Sequence, residues 1–220
     1  MTSRPGGTER TRGRRLADRA VTETAALHAV LDAGLVAHVG VVDDDQPFVL
    51  PMGYARLGDD LILHGSTGSR LMRCLAAGAP VCVTVTLLDG MVLARSAFES
   101  SMNYRSAMVL GVARRLDGDA ELAALRALSD HLLPGRWDDI RPPSAKERAA
   151  TMTLALPLAE CSVKIRTGGP DDDPADLVDP MYAGTWAGEV PLEASFGTPV
   201  PEPASALSPV PDYVSQWGRA

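Results

Sequence analysis

No stretch of this chain approaches the ~18 consecutive apolar residues needed to cross a bilayer, and its start lacks the apolar run of a secretory signal. A cytoplasmic protein with no membrane partner is therefore expected. Cysteine is scarce: Cys74, Cys82 and Cys161 are odd in number and far apart, with neither C-x-x-C pairing nor histidines at metal-ligand spacing. Buried, reduced thiols and no metal site follow. The chain also lacks the G-x-x-x-x-G-K-[ST] loop, the G-x-S-x-G elbow and the glycine-rich Rossmann fingerprint. No paired carboxylates or Ser/His/Asp set is evident. Nucleoside-triphosphate chemistry, serine-hydrolase chemistry and a resident dinucleotide domain drop out.

What is present is an ordinary globular composition, 45% hydrophobic and 22% charged over 220 residues, which suits one core with appendages. The net charge of −7 is uneven. Residues 1–20 carry six arginines against Glu9 and Asp18; without interleaved aromatics or an apolar face, they read as a disordered, solvated arm rather than a nucleic-acid contact. At the other end, nine of the 17 prolines lie from residue 170 onward, where acids outnumber bases nine to one. Residues 169–220 cannot form a core of their own and are expected as an extended arm wrapping over the barrel or a partner, with Tyr182, Trp186, Leu192, Phe196, Tyr213 and Trp217 spaced along it as anchors and the part through Phe196 packed against the barrel or the other subunit.

Between them, residues 21–168 read as a mainly β domain. A short helix over 21–33 stops at Gly34, and strands at 35–42, 47–56 and 60–64 are joined by connections too short for crossover helices, so the sheet begins antiparallel. A second helix spans 69–77. In the strand at 81–87, Val81, Val83, Val85 and Leu87 face one way and Cys82, Thr84 and Thr86 the other. Asp89-Gly90 reads as a tight hairpin turn into a further strand, followed by a long strand from 104. Leu122, Leu125, Leu128 and Leu132 mark an amphipathic helix covering an open end of the barrel, Ser144 and Glu147 a capping box, and two more strands end the domain. Six to eight mostly antiparallel strands with flanking helices suit a small closed or split β-barrel, with a sandwich as the alternative.

Two segments carry chemistry. In His64-Gly65-Ser66-Thr67-Gly68-Ser69-Arg70, glycine-freed amides, three hydroxyls and a guanidinium at a strand-to-helix junction suit a phosphate; the alternative is a turn that only caps the helix. His64 itself could donate a proton, bind a ligand or hydrogen-bond the loop backbone, the last being the favoured role. In Asn103-Tyr104-Arg105, an amide, a phenol ring and a guanidinium suit a flat heteroaromatic ligand; the alternative is a strand arginine paired with an acid.

The run from VGVVDDDQPFVLPMGYARLGDDLILHGSTGSRLMRC through VCVTVTLLDGMVLARSAFESSMNYRSAMVLG, together with PGRWDDIRPPSAKE, SVKIRTG and WAGEVPL, resembles the pyridoxamine 5′-phosphate oxidase-like, flavin-nucleotide-binding split-barrel family, in particular the branch with nitroimidazole-resistance proteins. The resemblance implies a six-stranded split barrel and a homodimer with flavin mononucleotide (FMN) in two interface clefts. It assigns Ser66, Ser69 and Arg70 to the flavin phosphate, with Gly65 allowing close backbone approach. Pro51, Met52, Gly53 and Thr84 would lie along the isoalloxazine and ribityl groups. Asn103, Tyr104 and Arg105 would face the same cleft or the subunit boundary, and Trp186 would cover the ring.

A flavin-dependent oxidoreductase acting on a small molecule is the first functional expectation, with any nicotinamide donor bound transiently over the flavin. A flavin carrier without turnover is the second. A split barrel using the deazaflavin coenzyme F420 or haem is the third.

Overall fold

The computed structural model describes residues 4–205 and 209–217. A two-residue strand β1 (Ala20–Val21) precedes helix α1 (Thr24–Ala33), and β2 (Val36–Asp43), β3 (Gln46–Leu57) and β4 (Asp60–Ser66) follow as a meander. Helix α2 (Arg70–Ala76) leads to the long pair β5 (Pro80–Leu93) and β6 (Ser101–Val112). Next come β7 (Arg114–Arg115), α3 (Gly118–Leu132), α4 (Ala145–Ala150), β8 (Thr151–Pro157) and β9 (Glu160–Arg166). The acidic C-terminal region contributes α5 (Pro174–Val178), β10 (Gly188–Pro191) and α6 (Asp212–Ser215). All pairings are antiparallel, and the order β1-β9-β6-β5-β2-β3-β4-β8-β7 does not close on itself. This is a mainly β split barrel. Among the described residues its ten strands exceed the expected six to eight because β1, β7 and β10 are pieces of two to four residues.

The strand alternation works as the sequence implies. Ala37, Val39 and Val41 of β2 and Val81, Val83 and Val85 of β5 all point into one buried core, which α1 closes with Leu27, Val30 and Leu31. Buried Tyr54 of β3 donates its hydroxyl to the Leu31 carbonyl at 2.6 Å, fixing the end of α1 to the sheet. Gly34 is required there because a Cβ would lie 2.5 Å from Val85 Cγ1 and 2.7 Å from the Tyr54 hydroxyl. Gly34→Ala is expected to destabilise the fold by about 1–3 kcal/mol through overpacking, read as a lower denaturant midpoint at unchanged m-value.

Three local expectations are corrected. Asp89-Gly90 makes no hairpin turn: β5 runs through it with a register shift between Leu88 and Gly90, a bulge that keeps pairing with β6. Gly90 serves close packing, since a Cβ there would sit 2.8 Å from the Val190 carbonyl oxygen on β10. Helix α3 covers a face of the sheet rather than an open end, burying Ala124 and Leu128 against Ala55, Ile62 and Ala155 in a second, smaller core. Its buried stripe therefore differs from the four leucines: Leu122 is exposed. The described part of the basic leader, in turn, is tied to β9, through Gly6 N–H to the Cys161 carbonyl at 2.7 Å and Thr8 and Arg10 to Glu160.

Candidate functional site

Because β3, β4 and β8 alternate, each turns half its residues away from the main core. On that outer face lie Gly53, Ala55, Ile62 and His64, under α3. Gly53 has its own reason to be glycine, for a Cβ would come 2.8 Å from Leu132 Cδ1. Past the small core, the sheet and α3 diverge around a cavity of about 510 Å³, within the usual range for small-molecule sites. Its walls are mostly apolar: Leu125, Leu128 and Leu132 of α3, then Trp137 and Ile140 from the segment after it. Arg141, Glu147 and Arg148 supply charge at one side, Arg141 paired with Glu147 at 2.6 Å and Arg148 with Glu121 at 2.6 Å.

His64 lines this cavity. The expected hydrogen bond to the loop backbone is absent: Nδ1 is buried without a partner, and no hydrogen bond reaches Nε2 among the described residues. The Thr153 hydroxyl, directly opposite in register on β8, is orphaned as well. Burial without a compensating bond disfavours the imidazolium, so the His64 pKa lies below the ordinary histidine value. A neutral imidazole with no protein partner, on an apolar wall, fits a transition-metal macrocycle such as haem.

The second grouping lies where β4 hands over to α2. Ser69 caps the helix, accepting from Met72 N–H at 3.4 Å, and Ser66 accepts from Gly68 N–H at 3.1 Å. Each hydroxyl keeps its own hydrogen to donate, which a phosphate oxygen would accept. The Arg70 guanidinium stacks on Phe48 at 3.8 Å and lies 3.7 Å from Asp43. Gly65 also has a packing reason to be glycine, since a Cβ there would meet Met72 Cγ at 2.8 Å. A small cavity of about 180 Å³ adjoins, lined by Phe48, Leu50, Ser69, Arg70 and Cys74.

Pro51 is exposed on the outer side of β3, Met52 packs on the main core, and Thr84 pairs with His38 and Met108 in mid-sheet. On this outward face, Val42, Val49 and Val112 are 60%, 62% and 50% exposed around a trough of about 450 Å³.

Within one chain, Asn103, Tyr104 and Arg105 stand apart from the α2 loop. Asn103 pairs with Gly90, ten residues along β5 from Pro80, a strand length of up to roughly 33 Å. Arg105 is held by Asp89 at 2.7 Å, the ion-paired alternative. Buried Asn103 donates to Glu189 at 2.7 Å and accepts from Arg166 at 2.5 Å, so it ties β6 to the C-terminal arm. Trp186 lies on Gly188, where a Cβ would be 2.9 Å from its ring, and is 63% exposed. Sequence reasoning missed the cavity walls and Phe48. The available signal was α3's surplus of leucine, since one buried stripe does not use Leu125, Leu132 and Leu133 as well.

A sequence profile of the pyridoxamine 5′-phosphate oxidase family matches residues 23–165, and the chain belongs to that family. The FAD- and haem-binding protein of Mycobacterium smegmatis is similar at 43% identity, over 89% of this chain and 95% of that one, with a TM-score of 0.84. The flavocytochrome Anf3 of Azotobacter vinelandii is similar at 38% identity, over 96% and 97%, with a TM-score of 0.87. A nitroimidazole-resistance protein homologue from Bacteroides thetaiotaomicron shares the fold at 21% identity, over 66% and 86%, with a TM-score of 0.56. No curated protein matches the sequence. Among the described residues no helix is long and apolar enough to cross a membrane, and no group of His, Cys, Asp and Glu is arranged to hold a metal ion.

Proposed function

We propose that this protein is a redox protein carrying both a flavin nucleotide and a haem, an oxidoreductase that exchanges electrons with a small molecule on the flavin face. The observation that carries this reading is the partnerless, neutral His64 imidazole in the wall of the apolar cavity under α3. The names of two well-covered relatives, an FAD- and haem-binding protein and a flavocytochrome, point the same way. When bound, the flavin supplies hydride and single-electron chemistry and the haem single-electron chemistry. The chain's part is to hold both. His64 would provide a nitrogen ligand, the leucines of α3 would exclude water, and Arg141 or Arg148 would meet the ligand's carboxylates. The hydroxyls of Ser66 and Ser69 and the guanidinium of Arg70 would take the phosphate that FMN and FAD share.

FMN is the flavin that the sequence suggests, whereas the name of the Mycobacterium smegmatis relative favours FAD. Titration with FMN, FAD and riboflavin separates these. Both nucleotides are expected to bind more tightly than riboflavin, and Arg70→Ala to weaken them about tenfold to a hundredfold while leaving riboflavin unchanged. Equal affinity for all three ligands would remove Ser66, Ser69 and Arg70 from the site. The haem assignment is tested by adding hemin and following the Soret band; a featureless titration overturns it. Oxidation of a nicotinamide donor by the loaded protein tests turnover.

The assembly we propose is a homodimer formed through the outward face of β2, β3, β5 and β6, where three exposed valines surround the trough. Such pairing offers the flavin a second wall. Wild-type protein is expected to sediment as a dimer and Val49→Glu as a folded monomer; a wild-type monomer with flavin bound would contradict this.

A further inference from the structure

The outer wall of the His64 cavity is the segment 133–143, which joins α3 to α4 and has only one turn of 3-10 helix, Trp137–Asp139, as regular structure. Among the described residues no backbone hydrogen bond ties it to a strand, so its position beside α3 depends on side chains. Arg126 of α3 bonds Asp138 at 3.0 Å, and Arg141 pairs with Glu147. The third tie comes from far away in sequence. Tyr213, in α6, donates its hydroxyl to Asp139 Oδ2 at 2.7 Å and accepts from Arg136 Nη1 at 3.0 Å. Its ring rests on Gly135, where a Cβ would approach Tyr213 Cγ to 3.0 Å and whose φ of +79° also favours glycine. The backbone that carries Tyr213 is steadied in turn, because Trp217 meets Phe196 edge-on at 6.1 Å, shortly after β10 docks on β5.

We propose that Tyr213 is a positioning residue that latches this wall, so that the C-terminal segment governs how fast a planar, carboxylate-bearing macrocycle enters and leaves the His64 cavity. The ligand class rests on the haem reading above; the latch rests on the contacts themselves. One phenol oxygen bridges an arginine and an aspartate that flank Trp137 and Asp138, and the ring fills the space that Gly135 leaves open. Phenylalanine keeps the ring and loses both hydrogen bonds. A change confined to residue 213, outside the barrel, leaves the core and the flavin loop intact.

The test uses full-length wild-type and Tyr213→Phe protein. In haem-free protein, hydrogen exchange is followed at Arg136 N–H and Asp139 N–H, which bond the Leu133 and Arg136 carbonyls within the wall. In hemin-loaded protein, haem loss to excess apomyoglobin is timed. The variant is expected to exchange those two amides faster and to release haem roughly tenfold faster, as befits one or two lost hydrogen bonds, with unchanged flavin affinity. Unchanged exchange overturns the latch. Faster exchange with unchanged haem release also overturns it, since the wall would then move without governing access. If wild-type protein takes up no hemin, the haem reading fails and the proposed ligand with it, while the exchange measurement still decides whether Tyr213 holds the wall.

Discussion

Replacing His64 with alanine is expected to lower hemin affinity on the order of a hundredfold or more, since loss of a ligand should exceed the 10–100-fold cost of losing a group that merely supports one. Little stability should go with it. Nδ1 already lacks a hydrogen bond, so the substitution orphans no protein group, and the space it leaves adjoins an existing cavity. The pH dependence follows from the depressed pKa. A metal competes with a proton for the imidazole, and burial lowers the His64 pKa, so hemin loss on acidification should set in at a lower pH than an ordinary histidine would give. Of the groups that share the cavity, Arg141 has its pKa raised by its hydrogen bonds to Glu147, and Arg141 with the Ser144 cap holds the Glu147 carboxyl far below the carboxylate range. The unfolded chain takes up the His64 proton first, so acidification below its unfolded value should also cost the fold some stability. Soret titrations from pH 8 to pH 4 on both proteins check this. Undiminished hemin affinity in His64→Ala would show that the imidazole is no ligand.

How much of this was legible in the sequence depended on the range of the interaction involved. The meander β2–β4 and the inward stripe Val81, Val83 and Val85 follow from alternation between near neighbours, and Ser69 and Ser144 both cap the helices they precede. Asp89-Gly90 misled because a turn dipeptide and a strand bulge call for similar residues, and what decides between them is β10, about a hundred residues away. Gly65 reads as a place where the backbone meets a ligand and Gly53 as one lying along a flavin, but each also packs closely on a side chain, Met72 and Leu132, which no local pattern identifies. The same distance hid the cavity: its walls come from β4, α3 and the segment before α4, and only folding shows that the surplus leucines of α3 face His64. Arg105 was read both as a ligand contact and as an ion-paired strand residue, and its bond to Asp89 depends on strand register at the bulge.

Ending the chain after Thr167 is expected to lower the melting temperature by roughly 10 °C, because the arm completes the sheet at the far end of β5 and β6. Removing β10 exposes the backbone of residues 90–93 and empties the space beside Gly90. It also takes Glu189 from buried Asn103, and an amide left unsatisfied costs about 1–3 kcal/mol, which in a chain of this length is worth roughly 2–4 °C per kcal/mol. Arg95 loses Asp172, which accepts its backbone N–H at 2.7 Å and pairs with its guanidinium at 2.5 Å. That N–H and the guanidinium hold the Asp172 carboxyl below its usual range, so its contribution is present above the unfolded carboxylate pKa and is lost as the pH falls through the lower folded one. The gap in melting temperature between full-length and shortened protein should therefore narrow between pH 7 and pH 3. The flavin phosphate site proposed at Ser66, Ser69 and Arg70 lies toward the opposite end of β5, so the shortened chain is expected to keep its preference for a flavin nucleotide over riboflavin. A melting temperature unchanged by the truncation would mean that β10, Glu189 and Asp172 add nothing to the barrel, and a gap of constant size across pH would mean that Asp172 is not the group at work.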